Sequence, residues 1–195
     1  MSQDPRNRRA STNRRIYEVA IRLFLERGYD AVSVGEIAAA AGVSVPTFYA
    51  HFTNKENVVL PLPDRPAVQA ALAGRTFGVN VFPELRDAIL DWLASYQGRD
   101  LEDLLERWQI VIATPGLRLR AAEYERATAT IVLEAMPPAS VAPGQLLATE
   151  LVVIALFSSY TLTLLRWAEE GGTRTLVDVA DEVLTTLRDL GGPPG

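Results

Sequence analysis

The 195-residue chain has no cysteine, one histidine (His51) and one lysine (Lys55); its other eighteen basic residues are arginine. Without cysteine, disulfides, thiolate nucleophiles and cysteine-based zinc sites are excluded. A single histidine leaves almost nothing from which to build a His-based metal site or a catalytic triad. Residues 1–15 are polar and arginine-rich and lack the apolar stretch of a secretory signal. The apolar run LVVIALFSSYTLTLL, between Glu150 and Arg166, has 15 residues. A membrane span needs about 20, so the run is read as a buried helix. The expectation from these absences is a cytoplasmic protein with no cofactor, no metal and no membrane partner. What is present is 48% hydrophobic and 22% charged, an ordinary balance for a chain with a sizeable core.

Negative charge dominates, with a net of −5, and taken alone this argues against nucleic acid. The distribution reverses that reading. Residues 1–60 carry eight basic and six acidic side chains, a net of +2, and the remaining 135 residues carry a net of −7. Five arginines and one aspartate fall within residues 1–15. A basic end joined to an acidic body implies two jobs, one of them involving phosphates. For the arm by itself, a solvated and disordered tail is the competing reading.

The first sixty residues carry helical periodicity. Ile16, Val19, Ala20, Leu23 and Phe24 form one apolar stripe, and Gly28 follows in a C-cap position. Ser33 and Glu36 have capping-box spacing and open a second helix that Gly42 ends. Ser44 caps a third helix with Pro46 in its first turn, and Thr53 with Glu56 repeats the box for a fourth. Two short helices across Ala41–Gly42–Val43 make a helix-turn-helix candidate. In VPTFYAHF, Phe48 and Phe52 share the face that must be buried. Pro46 and Ala50 then point outward, with Tyr49 on one flank and Thr47 and His51 on the other. Such a helix suits a major groove: Pro46 and Tyr49 reach thymine methyls and base edges, while Thr47, Tyr49 and His51 reach phosphates. A plain helical domain with a surface histidine and tyrosine is the alternative. Lys55 weighs against it. Placed in the first turn of the fourth helix, it opposes the helix dipole at a cost of roughly 0.3–1 kcal/mol, which a phosphate contact explains.

The stretch SVGEIAAAAGVSVPTFYAHFTNKENVV resembles the DNA-binding helix-turn-helix of the tetracycline-repressor (TetR) family, and LFLERGYDAVS resembles the helix and loop before it. The resemblance covers about residues 12–60. It implies an all-α protein: an arm and three-helix DNA-binding domain over residues 1–57, then a helical effector-binding and dimerisation domain over 58–195. It implies no enzyme activity, but a homodimeric repressor of a palindromic double-stranded operator, released by a small-molecule inducer. By position, Ser33, Thr47, Tyr49, His51 and Lys55 match phosphate contacts, and Val45 and Pro46 match base contacts. Ser44, the third helix's cap, joins this candidate set. Val45 offers no hydrogen bond, and Gly35 stands where some members carry a base-reading arginine, so apolar contact and DNA shape gain weight here. The arginine arm is expected to add groove or phosphate contacts ahead of the first helix.

Beyond Leu60, Pro61 and Pro63 either break the fourth helix or kink it on through Arg65–Gly74. Further helices are predicted near Pro83–Tyr96, Leu101–Ala113, Leu117–Met136, Gln145–Glu169 and Thr175–Leu190. Leu176, Ala180, Val183, Leu184 and Leu187 form a stripe, and the last two helices either build a two-fold four-helix interface or complete a monomeric core. The family resemblance favours the dimer. An effector pocket is expected among the middle helices, with Trp92, Tyr96, Trp108, Ile112, Tyr124, Phe157 and Tyr160 as candidate walls. The segment ATPGLRLRAAEYERA resembles the mycofactocin-regulator-type subgroup, and that resemblance implies an acyl-coenzyme A as effector; Arg118 and Arg120 are read either as its phosphate contacts or as exposed arginines on a helix surface. Two other functions compete. A carboxylate-based hydrolase would need Glu123/Glu125 or Asp100/Glu102/Asp103 paired with a positioned base, which the sequence lacks. A helical interaction module without operator binding is opposed by the Tyr49–His51–Lys55 set.

Overall fold

The computed structural model describes residues 5–190, and among these there are ten α-helices, one short 3-10 turn and no strand. Helix α1 (Pro5–Arg27), α2 (Val34–Ala40) and α3 (Val45–His51) form the head, and α4 (Glu56–Val59) leads out of it. The body consists of α5 (Arg65–Leu72), α6 (Phe82–Ala94), α7 (Gly98–Ala113), α8 (Pro115–Ala135), α9 (Leu146–Glu169) and α10 (Leu176–Leu190).

The head closes on the predicted stripes. Ile16, Ala20 and Phe24 of α1, Ile37 of α2 and Phe48 of α3 are all 2% exposed or less. Burying a side chain such as Phe48 contributes about 1.5–3 kcal/mol. Ser33 caps α2 with the full box: its Oγ accepts from the Glu36 amide, and its own amide donates to Glu36 Oε2 at 2.9 Å. Gly42 takes φ +64°, letting the Val43 amide return to the Ala38 carbonyl at 2.9 Å. That left-handed residue makes the sharp turn between α2 and α3 possible.

Three local expectations change. The basic arm is not a separate segment before the first helix, because α1 already runs from Pro5; residues 1–4 lie outside the described residues. Thr53 does not cap α4. Asn54 does so by accepting from the Asn57 amide at 2.8 Å, and Lys55 is the N-cap residue, not a first-turn residue. Of the two paths beyond Leu60, the helix breaks: Leu60–Asp64 is an irregular strap, and Asp64 caps a new helix, α5. The prolines impose this by removing amide donors and clashing with the preceding turn.

In the body, α9 packs against α7, α8 and α10, and α10 also packs against α6. The α10 stripe is therefore inward: Leu176, Ala180, Val183 and Leu184 are buried within the same chain. Helix α9 reaches 24 residues, and by length and composition it is apolar enough to cross a membrane, which the 15-residue run had not indicated. Its inner side includes the fully buried Val153 and Leu156, but Leu147, Leu151, Ile154 and Leu162 are 70, 60, 50 and 48% exposed.

Candidate nucleic-acid interface and effector cavity

Helix α3 presents its candidate residues on one surface. Phe48 is wholly buried, and Phe52 packs on it at 5.7 Å between ring centres, which turns Val45, Pro46, Tyr49 and Ala50 outward. Tyr49 is half-exposed and stands edge-on to Phe48 at 90°. Thr47 and His51 are intermediate in exposure. The Ser44 hydroxyl accepts from the Thr47 amide and shares a hydrogen bond of 2.8 Å with the Thr47 hydroxyl. Ser33 and Ser44 are thus helix caps first, with their oxygens already engaged. Burial and the nearby Arg9 charge lower the His51 pKa, keeping the free imidazole neutral near pH 7.

Arg9 extends this surface. From α1, its guanidinium donates to the Ala50 carbonyl at the end of α3, at 3.0 Å. The sequence signal for it was only the clustering of arginines. Other α1 arginines serve elsewhere: Arg27 pairs with Glu36 at 2.7 Å and Arg14 with Asp103 of α7 at 2.6 Å.

Lys55 has a structural task that its position in the sequence does not reveal. Its ammonium donates to the Tyr29 and Val32 carbonyls, each at 3.0 Å, and lies 4.0 Å from the centre of the Tyr29 ring. It ties down the loop between α1 and α2, and burial lowers its pKa. Two of its three N–H donors are therefore used within the protein. Against the dipole argument, these carbonyls offset the cation's placement without any phosphate.

Among the described residues, hydrogen bonds join head and body at two places. The Tyr17 hydroxyl donates to the Asp103 carbonyl at 3.3 Å, next to the Arg14–Asp103 pair. Burial, the main cause, raises the Tyr17 pKa to about 12. On the other side Asn57 of α4 donates to the Tyr124 hydroxyl of α8 at 2.8 Å. Tyr124 itself faces a cavity of about 250 Å³ in the body. Trp92, Tyr96, Trp108, Phe157 and Tyr160 also line it. Burial raises the Tyr160 pKa, so its hydroxyl remains protonated. Ile112 is the exception: one turn beyond Trp108 on α7, it packs against the core and does not line the cavity. Residues that aromatic spacing missed include Arg107, Glu125 and the strap Leu60–Pro63. No periodicity marks a strap, since it acquires its wall position only when the body folds under it. Arg118 and Arg120 lie outside the lining; Arg118 pairs with Glu169 and Arg120 with Glu123.

A family model described as "Bacterial regulatory proteins, tetR family" matches residues 16–62, which span the head and α4. The head of the chain is therefore similar to the DNA-binding region of the TetR family. Among relatives, it is 31% identical over 114 residues to the putative mycofactocin biosynthesis transcriptional regulator MftR of Mycobacterium tuberculosis, 57% of each chain. The chain thus spans little more than half the length of this relative. Two solved structures extend the likeness across the body. NalD of Pseudomonas aeruginosa, the secondary repressor of the MexAB-OprM multidrug efflux pump, matches with a TM-score of 0.59 and 22% identity over 92% of this chain and 95% of that one. FadR of Thermus thermophilus, a TetR-family repressor in complex with lauroyl-CoA, matches with a TM-score of 0.53 and 25% identity over 94% and 100%. The whole described chain therefore has the TetR-family fold, all-helical with a helix-turn-helix head.

Proposed function

We propose that this chain is a ligand-responsive transcriptional repressor that binds double-stranded operator DNA as a homodimer. The outward face of α3 carries the reading: Val45, Pro46 and Tyr49 stand exposed over a buried Phe48. In the proposal these residues meet base edges and thymine methyls. Thr47, Tyr49, His51, Arg9 and the third N–H of Lys55 meet phosphates, and Ser33 and Ser44 hold the helix N-termini toward the backbone. Residues 1–57 would be the DNA-binding unit and 58–195 the effector-binding and dimerisation unit, with α4 and the strap between them.

The dimer surface in this reading is the exposed apolar stripe of α9, Leu147–Leu151–Ile154–Leu162. Four large apolar side chains in one row on a helix need cover, and a second copy across a two-fold axis supplies the same row. Two-fold symmetry in turn matches a palindromic operator. The effector is a small molecule in the 250 Å³ cavity. Occupancy would move the strap and the Tyr124–Asn57 contact, favouring a head spacing that no longer fits successive major grooves. The likeness to FadR of Thermus thermophilus is what supports an acyl-coenzyme A as the effector class. Arg118 and Arg120, engaged with carboxylates, do not add to it.

The deciding experiment is selection of genomic DNA fragments by the purified protein, followed by sequencing. The expected result is one enriched palindrome whose binding weakens steeply with salt. Absence of any enriched palindrome defeats the reading.

A further inference from the structure

We infer that the cavity accepts a compact, largely apolar monocarboxylate, with its carboxylate on Arg107. The inference rests on the regulator reading only in assigning the cavity to an effector; the ligand chemistry comes from the wall. Among the described residues that line the cavity, Arg107 is the one basic side chain. It is partly buried on α7, and its only hydrogen bond among the described residues runs from Nε to the Asp103 carbonyl at 3.4 Å. The guanidinium otherwise has no carboxylate partner there. Arg65, Arg75, Arg86, Arg99, Arg118 and Arg120 are each paired with one.

The neighbouring carboxylate cannot serve Arg107. Asp103 is held by Arg14 at 2.6 Å and by Arg99 at 3.0 Å, and Glu125, the one acidic side chain among the described residues of the cavity wall, accepts from the Ser158 hydroxyl. A planar fork of N–H donors facing an apolar, aromatic chamber is matched by a carboxylate, which accepts two parallel hydrogen bonds. Arg107, Trp92 and Tyr96 also line an outer cleft between α1 and the α6–α7 pair. The anion would therefore sit at the mouth and the apolar part inside, against Phe157 and Tyr160. With no second cation among the described residues of the wall, a ligand bearing several phosphates would leave most of its charge unpaired, so the wall itself favours a monocarboxylate over the acyl-coenzyme A class that the likeness to FadR supports. The volume, near the lower limit of ligand cavities, selects for small molecules.

The test is calorimetric titration of the full chain with 3-phenylpropionate and 4-phenylbutyrate, each against its primary amide, and with lauroyl-CoA. The carboxylates should bind at least about tenfold more tightly than their amides, a preference of roughly 1.4 kcal/mol. Arg107→Met should erase the preference while keeping helical content and operator binding without probe; Arg126→Met, at an exposed arginine on α8, should leave it intact. Three results overturn the inference: no carboxylate binding at millimolar concentration, equal binding of amide and carboxylate, or lauroyl-CoA binding that Arg107→Met does not alter. A carboxylate that binds through Arg107 but never releases DNA leaves the inference standing and defeats the regulator reading instead.

Discussion

Single side chains in the head do two jobs at once. Lys55 shows this most clearly, since its ammonium satisfies two loop carbonyls at 3.0 Å and stacks on Tyr29. Hydrogen bonds to a charged donor contribute about 1.5–3 kcal/mol when partly shielded from water. Lys55→Met keeps the apolar stem and removes the donors. It should lower the unfolding free energy by about 1–3 kcal/mol in urea titrations. If the third N–H contacts a phosphate, the slope of log affinity against log salt should also fall by about one unit. Unchanged stability would show that the loop does not depend on this anchor. Unchanged slope with lowered stability would confine Lys55 to the structural role.

At the scale of elements, α2 has seven residues and depends on its ends. Its capping box, together with Arg27, holds the Glu36 carboxyl near pKa 2, well below its ordinary 4.5; the Ser33 amide is the largest cause. A carboxylate with a depressed pKa stabilises the fold fully above its unfolded value, and that contribution is lost as pH falls through the native one. Wild-type stability should therefore drop between pH 4.5 and 2 by more than that of Glu36→Gln. Parallel curves for the two proteins in acid denaturation would mean the box does not hold in solution. Because Glu36 is exposed, added salt should shrink the part due to Arg27. The same logic of ends explains α4, which Asn54 starts and the Pro61–Pro63 strap stops after one turn. That short α4 brings the strap onto the cavity wall and places Asn57 against Tyr124.

For the whole molecule, the decisive feature is which apolar surface the folded chain leaves uncovered. The α10 stripe is consumed by α6 and α9, whereas α9 retains Leu147, Leu151, Ile154 and Leu162 outside. Leu151→Glu combined with Ile154→Glu should convert a dimer to a monomer in analytical ultracentrifugation. Helical content should be unchanged, because both side chains are already exposed in the single chain. Operator affinity should drop with the lost second head. A dimer that survives both substitutions would place the interface elsewhere.

The sequence alone determined the local events: the α1 stripe, the Ser33 box, the Gly42 turn, the Ser44 cap and the body helices α6 to α10 to within a few residues. These depend on neighbours a few positions apart, so spacing and residue type suffice. It also made the α3 face legible, because Phe48 and Phe52 can share only one side of a helix. What tertiary structure decided is partner choice between distant segments. Lys55 meets carbonyls more than twenty positions away, Arg9 meets Ala50, and Arg14 meets Asp103. Trp108 lines the cavity while Ile112, one turn along, does not. Arg107 became prominent only when Asp103, one turn before it on α7, had found Arg14 and Arg99. Such pairings are settled by competition among all groups that the fold brings within reach, and no local window of sequence contains that information.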